Sequence, residues 1–163
     1  MIDETPNSLP STPATRFPWP PVLFALAIAA AWLLTVFAPV PWPGLDDRAG
    51  HWVGVAFGVF GLLLIVSGFA TLAWHRTTYL PHKASTKLVT SGPFIRFRNP
   101  IYLGEVMLLL YGAETTKSVW FVAAALLFGL LVTILQIIPE ERHLEAVFGD
   151  EYLAYKARSR RWI

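Results

Sequence analysis

The chain has 163 residues, of which 55% are hydrophobic and 15% are charged. A soluble domain carries about 25% charged and about 45–50% apolar residues, so this composition excludes an ordinary soluble domain and, for most of the chain, disorder. Cysteine is absent, which excludes disulfides, thiolate metal sites and a cysteine nucleophile.

The apolar residues are gathered into runs long enough to cross a membrane. Segments 21–40, 51–74 and 119–138 carry no Asp, Glu, Lys or Arg. At about 1.5 Å per helical residue, runs of about 20 residues span a hydrocarbon core of about 30 Å. A fourth run, 101–112, is shorter and contains Glu105. Residues 1–20, rich in Pro, Ser and Thr, are expected to form a disordered tail before an uncleaved first helix.

The basic residues predict how these runs cross the membrane. Of 13 Lys and Arg, most lie in two places, residues 76–100 and the stretch after Ile138. Short basic segments stay cytoplasmic, so both belong on the inner side, and an even number of crossings must separate them. Segment 101–112 therefore crosses as well, in a tight hairpin with the last run. We predict an all-α integral membrane protein of about four transmembrane helices, in the plasma membrane, with both termini cytoplasmic.

Small residues in the second run have two interpretations. Gly54 and Gly58 have the GxxxG spacing that lets helices approach closely, either within one chain or between two copies. We expect intramolecular packing, and an oligomer formed through these residues is the alternative.

The first polar segment leads into the third helix. Ser91-Gly92-Pro93 is a turn signal, and the proline of Asn99-Pro100 suits the first turn of a helix. Arg98 and Asn99 thus precede a helix N-terminus, which favours anions, and an arginine there is suited to a bidentate contact with a carboxylate or phosphate. The alternative is that the basic residues anchor the segment to anionic lipid.

The second polar segment follows the fourth helix. Glu140 and Glu141 lie at headgroup depth, and Tyr152 and Tyr155 follow on a predicted cytoplasmic amphipathic helix that is interrupted near Gly149. The adjacent carboxylates are suited to a cationic or hydroxyl-bearing ligand; alternatively they pair with basic residues, and the tyrosines belong to an interfacial aromatic belt. The histidines match no metal motif, so we expect no metal site. Neither a Rossmann glycine motif nor a P-loop occurs, so a nucleotide-like cofactor would not be held by either cradle. We expect no nucleic-acid partner.

Together these segments resemble a known family. The run KLVTSGPFIRFRNPIYLGE resembles the T-x-G-P-[FY]-x-x-x-R-H-P-x-Y-x-G motif of the isoprenylcysteine carboxyl methyltransferases and their phospholipid methyltransferase relatives. The tail PEERHLEAVFGDEYLAYKARSRRWI resembles their E-E-x-x-L-x-x-x-F-G-x-x-Y-x-x-Y ending. The resemblance divides the chain into the tail 1–20, a two-helix membrane hairpin at 21–75 and a methyltransferase-like region at 76–163, which contains the helical hairpin 101–138.

The resemblance implies S-adenosylmethionine-dependent methyl transfer to a lipophilic acceptor at the cytoplasmic face. By position, Arg98 and Glu141 are the implied catalytic residues. The implied donor-binding residues are Lys87, Leu88, Gly92, Pro93, Asn99, Pro100, Tyr102, Leu103, Glu140, Tyr152 and Tyr155. Asn99 departs from the family's histidine and cannot titrate. The acceptor stays open between a prenylcysteine carboxylate, a phospholipid amine and a small hydrophobic thiol or acid.

Two other functions compete with methyl transfer. Sterol-type reductases, which use NADPH, share the pattern R-H-P-x-Y-x-G-E with this family. In this chain, Glu105 is the last residue of that pattern. A non-enzymatic membrane scaffold would use the same basic faces to bind lipid.

Overall fold

The computed structural model describes residues 19–43, 48–75 and 88–163. Most of the predicted tail 1–20 and the linker 76–87 lie outside the described residues. The described part is helical: α1 (Trp19–Phe37), α2 (Arg48–Trp74), α3 (Pro100–Thr116), α4 (Val119–Val132) and α5 (Ile138–Arg158). A short 3₁₀ turn, Gly92–Ile95, precedes α3, and a π-helical turn, Thr133–Ile137, joins α4 to α5.

Three helical stretches are long and apolar enough to cross a membrane. They are Pro20–Phe37, Arg48–Trp74 and the continuous helix that starts at Val119. Large apolar side chains such as Trp32, Leu63 and Leu126 stay exposed on their outer surfaces, as lipid-facing residues do. The prediction of an all-α integral membrane protein is confirmed.

The short run of the sequence forms a helix longer than the run itself. α3 has 17 residues and continues past Gly112 to Thr116. Glu114, in this last part of the helix, is buried and forms an ion pair with Lys117. Lys117 adopts a left-handed conformation (φ 49°) that ends the helix, and the Ser118 hydroxyl accepts a hydrogen bond from the N–H of Trp120 to cap α4. Residues 117 and 118 alone separate α3 from α4, so the two helices form the predicted tight hairpin.

The first two helices pack on this hairpin rather than on each other. α2 lies along α3, and α1 lies along α4. Thr35 of α1 and Ser118 share a hydrogen bond of 2.6 Å at the hairpin turn, and the indole N–H of Trp120 donates to the carbonyl of Ala38. The two predicted regions, 21–75 and 76–163, are therefore not separate in space. The α3–α4 hairpin lies at the centre of the bundle, and α1 and α2 each pack against it.

Glycines allow α2 and α3 to approach closely. A Cβ added to Gly54 would lie 2.3 Å from Glu114 Cγ, and one added to Gly104 would lie 2.5 Å from the carbonyl oxygen of Gly61. Gly58 faces the ring of Tyr111. The GxxxG face of α2 is therefore used inside the chain, as the intramolecular interpretation expected.

Candidate functional site

The 3₁₀ turn docks onto the end of α2. Gly92 has φ +58°, and a Cβ at this position would lie 2.5 Å from Thr71 Oγ1, so both the backbone conformation and the packing require glycine. A 2.7 Å hydrogen bond joins His75 Nε2 to Ser91 Oγ. These contacts hold the turn, including Pro93, at one end of the bundle.

The chain's last residues pair with the segment before α3. The N–H of Arg98 donates to the carbonyl of Arg160 (2.7 Å), and the N–H of Arg160 donates to the carbonyl of Arg96 (2.9 Å). The Asn99 amide donates to the carbonyl of Arg161 (3.1 Å). We call residues 159–162 the C-terminal strap. The strap was not predicted from the sequence, because the basic run that contains it indicated topology and gave no signal for this pairing.

Arg98, Glu141 and Arg161 form one charged network. Arg98 Nε donates to Glu141 Oε1 (3.0 Å), and Arg161 reaches both oxygens of Glu141 at 3.1 and 2.6 Å. The side chains of Arg98 and Glu141 are only 10% and 8% exposed, so this pair is shielded from water, unlike an ordinary surface ion pair. Burial acts to raise the pKa of Glu141, but the hydrogen bonds and charges of the two arginines outweigh it and hold that pKa below its usual value.

Arg98 also closes the end of α5. Its Nη1 donates to the carbonyls of Lys156 (3.2 Å) and Ser159 (2.7 Å), which belong to the last turn of that helix and the residue after it. The last carbonyls of a helix lack partners within the helix, so a cation here satisfies them. For Glu141, the contact with Arg98 and Arg161 therefore fits the alternative interpretation, in which the acidic residues pair with basic ones.

Glu140 belongs to a second polar group. It follows the π-helical turn, whose buried Gln136 donates to Glu140 Oε2 at 3.3 Å. The carboxylates of Glu140 and Glu105 both act electrostatically on the phenol of Tyr102, so α3 and α5 bring these three groups to one place. π-Helical turns occur often at functional sites because they turn side chains away from the regular helical positions.

The two tyrosines of α5 differ in their partners. Tyr155 donates a 2.8 Å hydrogen bond to the carbonyl of Phe94, and burial raises the pKa of Tyr155 to about 12. Tyr152 packs edge-on against Tyr155 with ring centroids 6.2 Å apart and is 1% exposed, yet its hydroxyl has no hydrogen-bonding partner among the described residues. Glu105 Oε2 is likewise buried without a partner there. Such groups are uncommon in folded proteins, and a polar ligand would satisfy them.

The structure brings most of the predicted site residues to this end of the bundle. Pro100 is buried at the first position of α3, and the N–H of Leu103 bonds to the carbonyl of Asn99 in the same turn. Leu88 lies in the irregular stretch before the 3₁₀ turn, and Lys87 lies outside the described residues. The ligand-binding roles of all these residues stay predictions.

The helical membrane bundle, with this motif at one end, belongs to a known class of membrane protein. The phospholipid methyltransferase family model matches residues 49–151, which is more than half of the chain, and the chain belongs to that family. The predicted resemblance is confirmed. Membership indicates a membrane methyltransferase and does not favour the reductase alternative.

Two relatives illustrate the range of the similarity. The chain is 34% identical over 151 residues to methanethiol S-methyltransferase 1 of Bradyrhizobium diazoefficiens, covering 84% of this chain and 50% of that protein. The chain thus spans about half the length of that relative. It is 35% identical over 63 residues to an uncharacterized protein of Haemophilus influenzae, covering 39% of this chain and all of that one. No solved structure matches the chain.

Proposed function

We propose that the protein transfers a methyl group from S-adenosylmethionine to a lipophilic acceptor at the cytoplasmic face of the membrane. The observation that carries this proposal is Tyr152, a buried tyrosine whose hydroxyl has no hydrogen-bonding partner among the described residues and which interacts electrostatically with Glu140 and Glu141. The site adjoins the apolar run that ends at Ile138, which would give a lipophilic acceptor access from the bilayer.

The residues fit the chemistry of this donor. S-Adenosylmethionine carries a sulfonium, an amino group, a carboxylate and ribose hydroxyls. Glu140 suits the amino group or the hydroxyls, and an aromatic face such as that of Tyr152 attracts a sulfonium. Arg161, whose side chain is 39% exposed, is the network's more accessible cation for the carboxylate. Arg98 is largely occupied by Glu141 and the end of α5, so in this proposal it positions Glu141 and the strap.

In this proposal the protein accelerates methyl transfer by positioning the donor and by excluding water from the site. The bound donor supplies an electrophilic methyl group, so no covalent intermediate with the protein is needed. Glu140 and Tyr152 orient the donor, while the strap and the 3₁₀ turn hold the first turn of α3 against α5. Fixed geometry in a desolvated site can supply much of the acceleration of such an in-line displacement.

Calorimetry on the detergent-solubilised full chain tests donor binding. We expect S-adenosylmethionine to bind more tightly than NADPH, and Tyr152→Phe to weaken its binding by about three- to tenfold, because one hydrogen bond is lost. Tyr111→Phe is the matched control, since this tyrosine lines the groove between α2 and α3 and lies 38% exposed. Absence of donor binding would reject the proposal, and tighter binding of NADPH would restore the reductase alternative.

The acceptor class is tested with labelled donor. Radiolabelled methyl groups should enter the lipid, protein or small-molecule fraction of host membranes, according to whether the acceptor is a phospholipid amine, a prenylcysteine or a small thiol or acid. The methanethiol S-methyltransferase relative supports including thiols among the acceptors tested. If no fraction is labelled and no donor binds, the scaffold alternative is favoured instead.

A further inference from the structure

Two exposed arginines adjoin at the joint between the C-terminal strap and the segment before α3. The N–H of Arg160 donates to the carbonyl of Arg96 at 2.9 Å, so the backbones of these two residues are in direct contact. Both residues are exposed, whereas Ser159 and Arg98, on the same two segments, are buried in the network. The outer side of the joint therefore presents two cations from segments that are far apart in the chain.

Neither arginine of this joint is neutralised by a carboxylate of the described residues. The ion pairs in this part of the chain use four other cations, Arg98, Lys117, Lys156 and Arg161. Neighbouring positive charges without a counter-ion repel each other, which opposes docking of the strap. An anion that binds Arg96 and Arg160 together would remove this repulsion and join the two segments.

The apolar neighbours of these arginines favour a lipid as the source of the anion. Ile95, next to Arg96, is 65% exposed, and Ile163, at the end of the chain, is 83% exposed. Trp162 is partly buried and packs against the apolar core of the bundle. Aromatic and apolar side chains beside arginines are typical of a membrane interface, where the apolar parts enter the lipid and the cations meet the headgroups.

The headgroup that suits the joint carries a net negative charge. A guanidinium group binds a phosphate bidentately, and basic residues near an anionic leaflet are attracted to its lipids. A zwitterionic headgroup also has a phosphate, but its ammonium group would add a third cation to the joint.

We propose that Arg96 and Arg160 bind the phosphate group of an anionic phospholipid, and that this binding holds the strap on the segment before α3. Exposed apolar side chains such as Ile95 contact the acyl chains of the same lipid. Because the two arginines adjoin only while the strap is docked, the lipid stabilises the docked conformation over an undocked one. This lipid site lies outside the Arg98–Glu141–Arg161 network and does not depend on the methyl transfer proposed above.

Native mass spectrometry of the detergent-solubilised full chain measures the headgroup preference. Dioleoylphosphatidylglycerol is compared with dioleoylphosphatidylcholine, because the two lipids have identical acyl chains. We expect the phosphatidylglycerol to bind at least about fivefold more tightly, and the double variant Arg96→Gln/Arg160→Gln to lower this preference below about twofold. The double variant Arg48→Gln/Arg142→Gln is the matched control and should keep the preference, because it removes two exposed arginines that lie outside the joint.

The effect on the strap is measured with a single thiol in a chain that has no cysteine. Ser159→Cys places this thiol at a position that is only 7% exposed while the strap is docked. In nanodiscs that contain phosphatidylglycerol, N-ethylmaleimide should modify the thiol about three- to tenfold more slowly than in nanodiscs of phosphatidylcholine alone. The lipid effect should disappear when Arg96→Gln/Arg160→Gln is added, and free inorganic phosphate should not reproduce it.

Each opposite result overturns the inference. Equal affinities for the two lipids would do so, and so would an equal loss of preference in the control variant, since the lipid would then respond to net charge. Labelling that ignores the lipid would show that the strap is not held by it, and slowing by free phosphate would assign the joint to a soluble anion. If Ser159→Cys does not fold, the headgroup preference decides. Donor binding is measured in neither experiment, so these results leave the proposed function to its own test.

Discussion

At the scale of single residues, Arg98 makes structural contacts that its sequence motif does not indicate. One guanidinium group joins the start of α5, through Glu141, to its end, through the carbonyls of Lys156 and Ser159. Its backbone N–H also pairs with the strap. Any ligand-binding role of Arg98 is therefore coupled to the integrity of the whole site.

Arg98→Lys is expected to lower stability although the charge is kept. A single ammonium group lacks the planar fork that reaches both Glu141 and the helix-end carbonyls, so buried acceptors lose partners. We expect a loss of about 1–3 kcal/mol, measured as thermal unfolding in detergent by tryptophan fluorescence. Arg96→Lys, at an exposed position two residues earlier, is the control and should unfold like wild type. Equal unfolding temperatures for wild type, Arg98→Lys and Arg96→Lys would show that the guanidinium group of Arg98 is not needed for stability.

The Glu141 network also predicts acid sensitivity. Its two arginines hold the pKa of Glu141 below the usual value despite burial, so its stabilisation is complete above the unfolded-state pKa of about 4.3 and is lost as pH falls through the lower folded-state pKa. Glu141→Gln should be less stable than wild type at neutral pH and should lose less stability on acidification. The measurement is the unfolding temperature between about pH 6 and about pH 3. Parallel pH profiles for the two proteins would contradict this prediction.

At the scale of elements, the contact between α2 and α3 depends on backbone proximity. Gly104→Ala would place a Cβ 2.5 Å from the carbonyl oxygen of Gly61, and that helical backbone cannot move aside cheaply. We expect a destabilisation of about 1–3 kcal/mol in thermal unfolding. Gly129→Ala is the matched control on α4, because its Cβ would meet Val106 Cγ2 at an ordinary 3.7 Å. The packing would be looser than described if both variants unfolded alike.

The elements that the sequence could predict are those with local signals. Charge-free runs predicted α1, α2 and α4, and Gly149 marks the break inside α5, where its φ is 49°. The crossing of α3 stays a prediction, because α3 is not among the three described stretches that are long and apolar enough to span a membrane. Helix partners were harder to predict. Apolar surfaces in lipid give little directional information, so the packing of α1 on α4 had no sequence signal, whereas the glycines of α2 did indicate a close neighbour.

The strap was beyond sequence reasoning for a different reason. The bridge between Phe97 and Arg160 joins two irregular segments far apart in the chain, and no periodicity or spacing predicts such a pairing. The roles of Arg160 and Arg161 depend on it. The motifs thus indicated which residues meet at the site, while the contacts that hold them required the fold.

At the scale of the whole molecule, the two ends of the bundle differ in chemistry. The arginine network and the polar group around Glu140 lie at one end, where the 3₁₀ turn, the start of α3, α5 and the strap meet. The opposite end carries the Glu114–Lys117 ion pair and the hydrogen bond between Thr35 and Ser118. Residues 88–100, the described part of the first basic segment, meet the second basic segment at the first end. That both segments are cytoplasmic stays a prediction.

The absence of cysteine makes the predicted orientation directly testable. A single cysteine at Glu151, exposed on α5, should be cytoplasmic, and one at Thr115, exposed at the end of α3, should face outward. In intact cells, a membrane-impermeant maleimide should label Thr115→Cys and should label Glu151→Cys only after permeabilisation. The wild-type chain is the control for background labelling. The reversed pattern would place the candidate site on the outer face, away from cytoplasmic S-adenosylmethionine, and would reject the proposed cytoplasmic reaction together with the orientation.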